Sequence, residues 1–196
     1  MTPPGRSRPI APRGVRGARG SALVELALAM PMMMILVFGI VDLGQAIHAR
    51  LILTNVAREG GSIGCRQDPL QSSLPDLLTT SAVPLVLNGA DGRVIVTRIV
   101  SGTSTSSPNP RITAQYQRGS LGVTGSTTPS TTMLGLTAPV YAHLVFDPDQ
   151  GVADLTSVIV VEVWFKYRPI TPLSNFLPGL LTPDDGGLIM HSRSVF

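Results

Sequence analysis

Arg19-Gly20-Ser21-Ala22-Leu23-Val24-Glu25-Leu26-Ala27-Leu28-Ala29-Met30-Pro31 leads into an apolar run from Ala22 to Val41, in which Glu25 is the one charged residue. Twenty helical residues at about 1.5 Å each cover about 30 Å, the thickness of a bilayer's hydrocarbon core. The run therefore predicts the transmembrane part of a helix over residues 21–41. A carboxylate at that depth is costly, so Glu25 asks for a function. Pro31 removes one backbone donor, which a membrane helix tolerates as a kink. Met30, Met32, Met33 and Met34 read as adaptable apolar filler, since no His or Cys joins them at ligand spacing.

Outward from this run the charge is uneven. Arg6, Arg8, Arg13, Arg16 and Arg19 precede Gly20 with no acid among them. The formal net charge is +3, from 15 basic residues and 12 acids; setting those five arginines aside leaves 10 basic residues against the 12 acids. Residues 1–20, rich in Pro, Gly and Arg without apolar period, are expected to be a disordered basic leader. The remainder is slightly acidic and lacks the basic patch that phosphate neutralisation needs, so nucleic acid is not an expected partner. Arginines before a membrane segment stay in the cytoplasm, which sends the C-terminal part outward.

Three readings of the N-terminus compete. A secretory signal peptide fits the basic start, but the apolar core is long and interrupted, and the small-residue site near Ala49 follows Asp42, Gln45 and His48. A signal anchor that is never cut is the second. A prepilin-type leader, cut before the apolar segment and after Gly20, is the third. The motif from Arg19 to Pro31 resembles the N-terminal signature of TadE-like pseudopilins of the Tad (tight adherence) or Flp pilus systems: a basic leader, Gly at the cut, Glu at mature position five and Pro in the apolar helix. The resemblance extends through Asp42-Leu43-Gly44-Gln45 and Ala57-Arg58-Glu59, and departs from the family at Gly60-Gly61. It implies cleavage between Gly20 and Ser21 by a membrane prepilin peptidase. It also implies that the freed α-amino group of Ser21 pairs with Glu25, on the same chain or a neighbour, which lowers the cost of both charges. The bland alternative is that Glu25 snorkels to the interface or is a neutral acid.

Past Val41 the helical period persists. Leu43, Ala46, Ile47, Leu51, Leu53 at the edge, Thr54 and Ala57 form a stripe expected to pack on the chain's own sheet. Gly60-Gly61 is an expected stop. A second helix is expected over residues 73–87, with Ser73 as N-cap, Pro75 in the first turn and an end or kink at Pro84. Residues 93–100, 112–117, 140–146, 157–167 and 188–195 have strand character, the last but one being the strongest. Residues 101–110 and 119–132 read as exposed, mobile loops, open to glycosylation in composition. Asp147-Pro148-Asp149 and Asp184 to Gly187 read as turns. The expected fold is α+β: a long N-terminal helix entering an outer domain whose antiparallel sheet packs on it. The expected segments are 1–20 leader, 21–41 membrane, 42–61 outer helix and 62–196 outer domain.

Chemistry is sparse. His48, His143 and His191 have no spaced partner, no Gly-rich phosphate loop joins a strand to a helix, and no CxxC or HExxH pattern occurs. The single Cys65 cannot form an internal disulfide and reads as a small residue near a helix end. No enzyme activity, metal or cofactor is expected. The resemblance implies a minor pseudopilin of a bacterial inner membrane that supports pilus assembly, with other pilins or pseudopilins, the Tad machinery, the prepilin peptidase and the membrane as partners. The competing expectation is an uncut bitopic protein whose outer domain scaffolds the envelope or binds a ligand.

Overall fold

The computed structural model describes residues 16–171 and 187–196. Its elements, in chain order, are α1 (Arg16–Gly64), α2 (Leu74–Ser81), β1 (Gly92–Val100), β2 (Arg111–Arg118), a 3-10 turn (Thr132–Gly135), α3 (Ala138–Leu144), β3 (Ser157–Tyr167) and β4 (Leu188–Val195). The chain divides into two compact units, Met1–Val41 and Asp42–Phe196. In the first, the described residues 20–41 are helical and almost all exposed. The part of α1 from Gly20 onward contains a stretch long and apolar enough to cross a membrane. Helix begins at Arg16, inside the stretch expected to be disordered: extending an existing helix avoids the cost of nucleating one.

In the second unit, four antiparallel strands lie in the order β2-β1-β3-β4. The fold is α+β, as the pattern predicts. β3 is central and reads Val158-Ile159-Val160-Val161 because both its faces are covered. Ile159, Val161 and Val163 join Leu53, Val56, Ala57, Leu74 and Leu78 in the larger core, on the face toward residues 42–64 of α1 and α2. Val158 and Val160 join Ile99, Leu136 and Leu144 in a smaller core on the other face.

Several expectations need correction. α1 runs through Gly60-Gly61 to Gly64. Glycines cost helix stability by about 1 kcal/mol each against Ala, but here close packing needs them. A Cβ on Gly60 would stand 2.6 Å from Leu78 Cδ1, one on Gly64 2.9 Å from Ile159 Cγ2, and one on Gly61 would enter the Phe196 ring. α2 ends at Ser81, not residue 87; Pro75 sits in its first turn, but Ser73 makes no side-chain cap. Residues 140–146, expected as a strand, lie largely in α3, which starts beside Pro139 and turns Val140, Tyr141 and Leu144 toward the smaller core at helical spacing.

The 119–132 segment is no free loop either. Thr127 is fully buried, its carbonyl accepts from Gln115 Nε2 at 2.9 Å, and Ser126 binds Glu162. In the 101–110 segment Ser101 and Gly102 are buried. The turn at Asp147 is present, with the Asp149 amide donating to Asp147 Oδ1 at 2.9 Å. The expected turn at Asp184 to Gly187 falls mostly outside the described residues.

Candidate functional site

Gly20, Ser21 and Glu25 all stand exposed on α1. Ser21 and Glu25 are four residues apart, so a helix sets them on one face, about 6 Å apart along the axis. In hydrocarbon, an exposed carboxylate there requires an amine, a protonation or a route to the interface.

The part of α1 past Val41 departs from the expected packing face. Leu53 and Ala57 of the expected stripe are buried, but Leu43, Ile47 and Leu51 are 62%, 54% and 58% exposed. The buried face instead carries Ala49, Leu53, Val56 and Ala57. A shift of two residues is about 200° of helix rotation, so the Leu43-Ile47-Leu51 row points away from the chain's own sheet. The reason is size: Gly60 and Gly64 sit under the sheet and α2, and only that face of the helix lets backbone approach. Among the described residues, the bulky row is left exposed.

Asp42, which the sequence marks only as the polar residue ending the apolar run, is 6% exposed and anchors the segment that follows β3. Its Oδ1 accepts the amides of Ile170 and Thr171 at 3.1 Å each, and its Oδ2 accepts the Thr171 hydroxyl. Its backbone carbonyl accepts the Tyr167 hydroxyl at 3.0 Å. Burial, and secondarily the Asp42 charge, push the Tyr167 hydroxyl above the usual tyrosine value. Separations of more than 120 residues in sequence hide these bonds from any local pattern. Above the clamp, a cleft of ≈330 Å³ opens between α1 and the end of β3.

On the opposite sheet face lies a polar cluster. Glu162 is fully buried in β3, and its carboxylate accepts the Ser126 amide at 3.0 and 3.1 Å and the Ser126 hydroxyl. His191 Nε2 stands 3.8 Å from Glu162 Oε1, and its ring stacks on Trp164 at 3.8 Å between centroids. Burial, reinforced by Arg193 and opposed by Glu162, lowers the His191 pKa below the usual histidine value. A serine, a carboxylate and a histidine meet here, but the carboxylate lies between the other two. The Ser126 hydroxyl is thus turned toward the Glu162 carboxyl group and not toward the His191 imidazole, the reverse of a nucleophile relay. The geometry fastens a loop to the sheet. His143 pairs with Asp154 at 2.7 Å, His48 is exposed, and Cys65 is an exposed thiol just past α1.

Residues 20–62 match the family model described as TadE-like protein. The match covers most of α1 and ends before α2. No curated protein and no solved structure matches the chain.

Proposed function

On the premise that the chain is TadE-like over residues 20–62, we propose that it is a membrane-anchored minor pseudopilin that supports assembly of a Tad pilus. The observation that carries this reading is the exposed Leu43-Ile47-Leu51 row on a helix whose opposite face is buried in its own domain. Such a row serves a helix that packs on other helices once its domain has folded, and pilins or other pseudopilins are the partners the family points to. In this reading a prepilin peptidase cuts between Gly20 and Ser21. The new Ser21 amine and Glu25, one turn apart, then neutralise each other within a chain or between neighbours in the bilayer. The chain acts as a peptidase substrate and an assembly component, not as an enzyme. It sits in a bacterial inner membrane with its arginine leader cytoplasmic and residues 42–196 outside.

N-terminal sequencing of the membrane-bound protein tests the processing. A mature terminus at Ser21 is the expected result; an intact Met1, or a start near residue 50, refutes it and favours the uncut bitopic reading. Glu25→Ala is expected to leave cleavage in place and to reduce piliation. Unchanged piliation removes the assembly role of the carboxylate.

A further inference from the structure

We propose that the sheet edge at β2 receives an extended, acidic segment of a partner protein, with one side-chain carboxylate of that segment seated on the guanidinium of Arg98. The surface lies wholly within the unit Asp42–Phe196, so it depends neither on cleavage after Gly20 nor on the pseudopilin reading.

A cleft of ≈450 Å³ opens between the loop that follows α1 and strands β1 and β2. Leu70, Val100, Ala114 and Tyr116 form apolar walls, and Arg98 is the one cation of the lining. Leu70 is buried, and Ala114 and Tyr116 pack against the larger core, so the walls are held in place. The Arg98 side chain is only 15% exposed. Its bonds run from Nη1 alone, to the Gln67 carbonyl at 3.4 Å and to Asp68 Oδ1 at 2.7 Å. Nε is buried and has no partner among the described residues. The bland reading is an ion pair that pins the loop, but that pair engages one end of a guanidinium with five donors in a fixed fork. The Nε–Nη2 edge is left, and two adjacent donors of that fork take a carboxylate in two parallel bonds. Asp68, the one acid of the lining, is 83% exposed and turned to Nη1.

β2 supplies the other half of the surface. It is the end strand of the order β2-β1-β3-β4 and, among the described residues, pairs with β1 alone. Its outer edge therefore offers backbone donors and acceptors to an added strand. Strand addition takes affinity from backbone bonds and specificity from pockets for alternate side chains. The register sets such a pocket beside this edge. Ala114 stands opposite Arg98, and the pairing slips between Arg98 and Ile99, with Thr113 as the extra residue of β2. A bulge of this kind re-aims the side chain next to it. Two strand spacings, about 10 Å, separate β1 from an added strand, and an arginine and a glutamate side chain close that gap from its two sides.

Charge sets the sign of the partner. β2 contains Arg111 and Arg118 and no acid. Arg118 is taken by Asp76. Arg111 is exposed and stands opposite Val100, on the face that the cleft opens to. An acidic segment thus meets Arg98 and Arg111 against the single exposed Asp68. A free small carboxylate would use the guanidinium and leave the strand edge unpaired.

The test titrates the full chain in detergent micelles with a fluorescein-labelled, C-terminally amidated peptide, Thr-Val-Thr-Glu-Thr-Val-Thr, in which Val and Glu share one face. Fluorescence anisotropy reads binding, and the peptide with Gln in place of Glu is the control. The Gln peptide is expected to bind about tenfold more weakly, the loss of a charge-assisted pair. Amides of residues 114–118 should gain protection from hydrogen exchange when the Glu peptide is bound. Arg98→Lys keeps the charge but removes the fork, and is expected to weaken the Glu peptide several-fold while leaving the Gln peptide unchanged. Ala114→Leu narrows the cleft with Arg98 in place and should also weaken the Glu peptide; it carries the test if Arg98→Lys does not fold. Exchange of β3 amides checks the fold of each variant. Absence of binding, equal binding of the two peptides, unchanged binding in the folded variants, or protection away from β2 each overturn the proposal. Displacement by acetate as effective as by unlabelled Glu peptide overturns it too, in favour of a site for a free carboxylate.

Discussion

Replacing Asp42 by alanine removes a side chain that ties the segment after β3 back to α1. Three donors lose their acceptor: the Ile170 and Thr171 amides and the Thr171 hydroxyl. A bond to an ionised group contributes about 1.5–3 kcal/mol when buried, and less where water replaces the lost partner. Ile170 is 68% exposed and the bonds are only partly buried, so each is discounted heavily. The sum is about 2–3 kcal/mol of local stability, and the Tyr167 hydroxyl bond to the Asp42 main chain survives. Since 1.4 kcal/mol is a factor of ten, the Ile170 and Thr171 amides should exchange with solvent about 30- to 150-fold faster. Amide hydrogen exchange on the full chain in detergent reads this directly, with Val161 of the central strand as an internal reference that should not change. Exchange at 170 and 171 equal to wild type, with Val161 also unchanged, would show that the clamp holds nothing and that the cleft lip is positioned by other contacts.

Three further outcomes follow from the same geometry. His191 has a depressed folded pKa, so its neutral form is favoured in the fold; its contribution to stability is complete above about pH 6.5 and is lost as pH falls through the folded value. Thermal midpoints should therefore fall on mild acidification, and His191→Phe, which can still stack on Trp164, should flatten that slope; an equal slope in the variant would assign it to another group. Gly60→Leu should destabilise by about 1–3 kcal/mol in urea titration through collision with Leu78 and Val161, whereas Gly44→Ala, with nothing within 4 Å, should stabilise by up to about 1 kcal/mol; two effects of the same sign would contradict the packing argument. Ile47→Asp should leave the fold intact, since Ile47 is 54% exposed, yet lower piliation and co-purification of partner helices; normal piliation would argue that the Leu43-Ile47-Leu51 row is not an assembly face.

What was legible in the sequence depended on whether a signal was local. The apolar run from Ala22 to Val41 reports a membrane-length helix because length and composition alone satisfy the bilayer, without reference to the rest of the chain. β3 was equally legible: an unbroken β-branched run is what a strand covered on both faces requires. The 140–146 segment misled because Val140, Ala142, Leu144 and Phe146 alternate, although Pro139 and the 140, 141, 144 spacing suited the helix that forms. Glu162 had no local signal at all. A lone acid in a strand looks solvent-facing until Ser126, 36 residues away, is folded over it.

By itself, then, the sequence determined that an arginine-rich stretch precedes a helix able to cross a membrane, with one carboxylate at the fifth residue after Gly20, and that an antiparallel sheet follows. Only the tertiary structure decided which face of residues 42–64 of α1 the sheet would take. Hydrophobicity favoured the row of Leu43, Ile47 and Leu51, but close packing rewards surface that backbone can approach, and the small face with Ala49, Ala57, Gly60 and Gly64 allowed it. The same choice left the bulky row exposed.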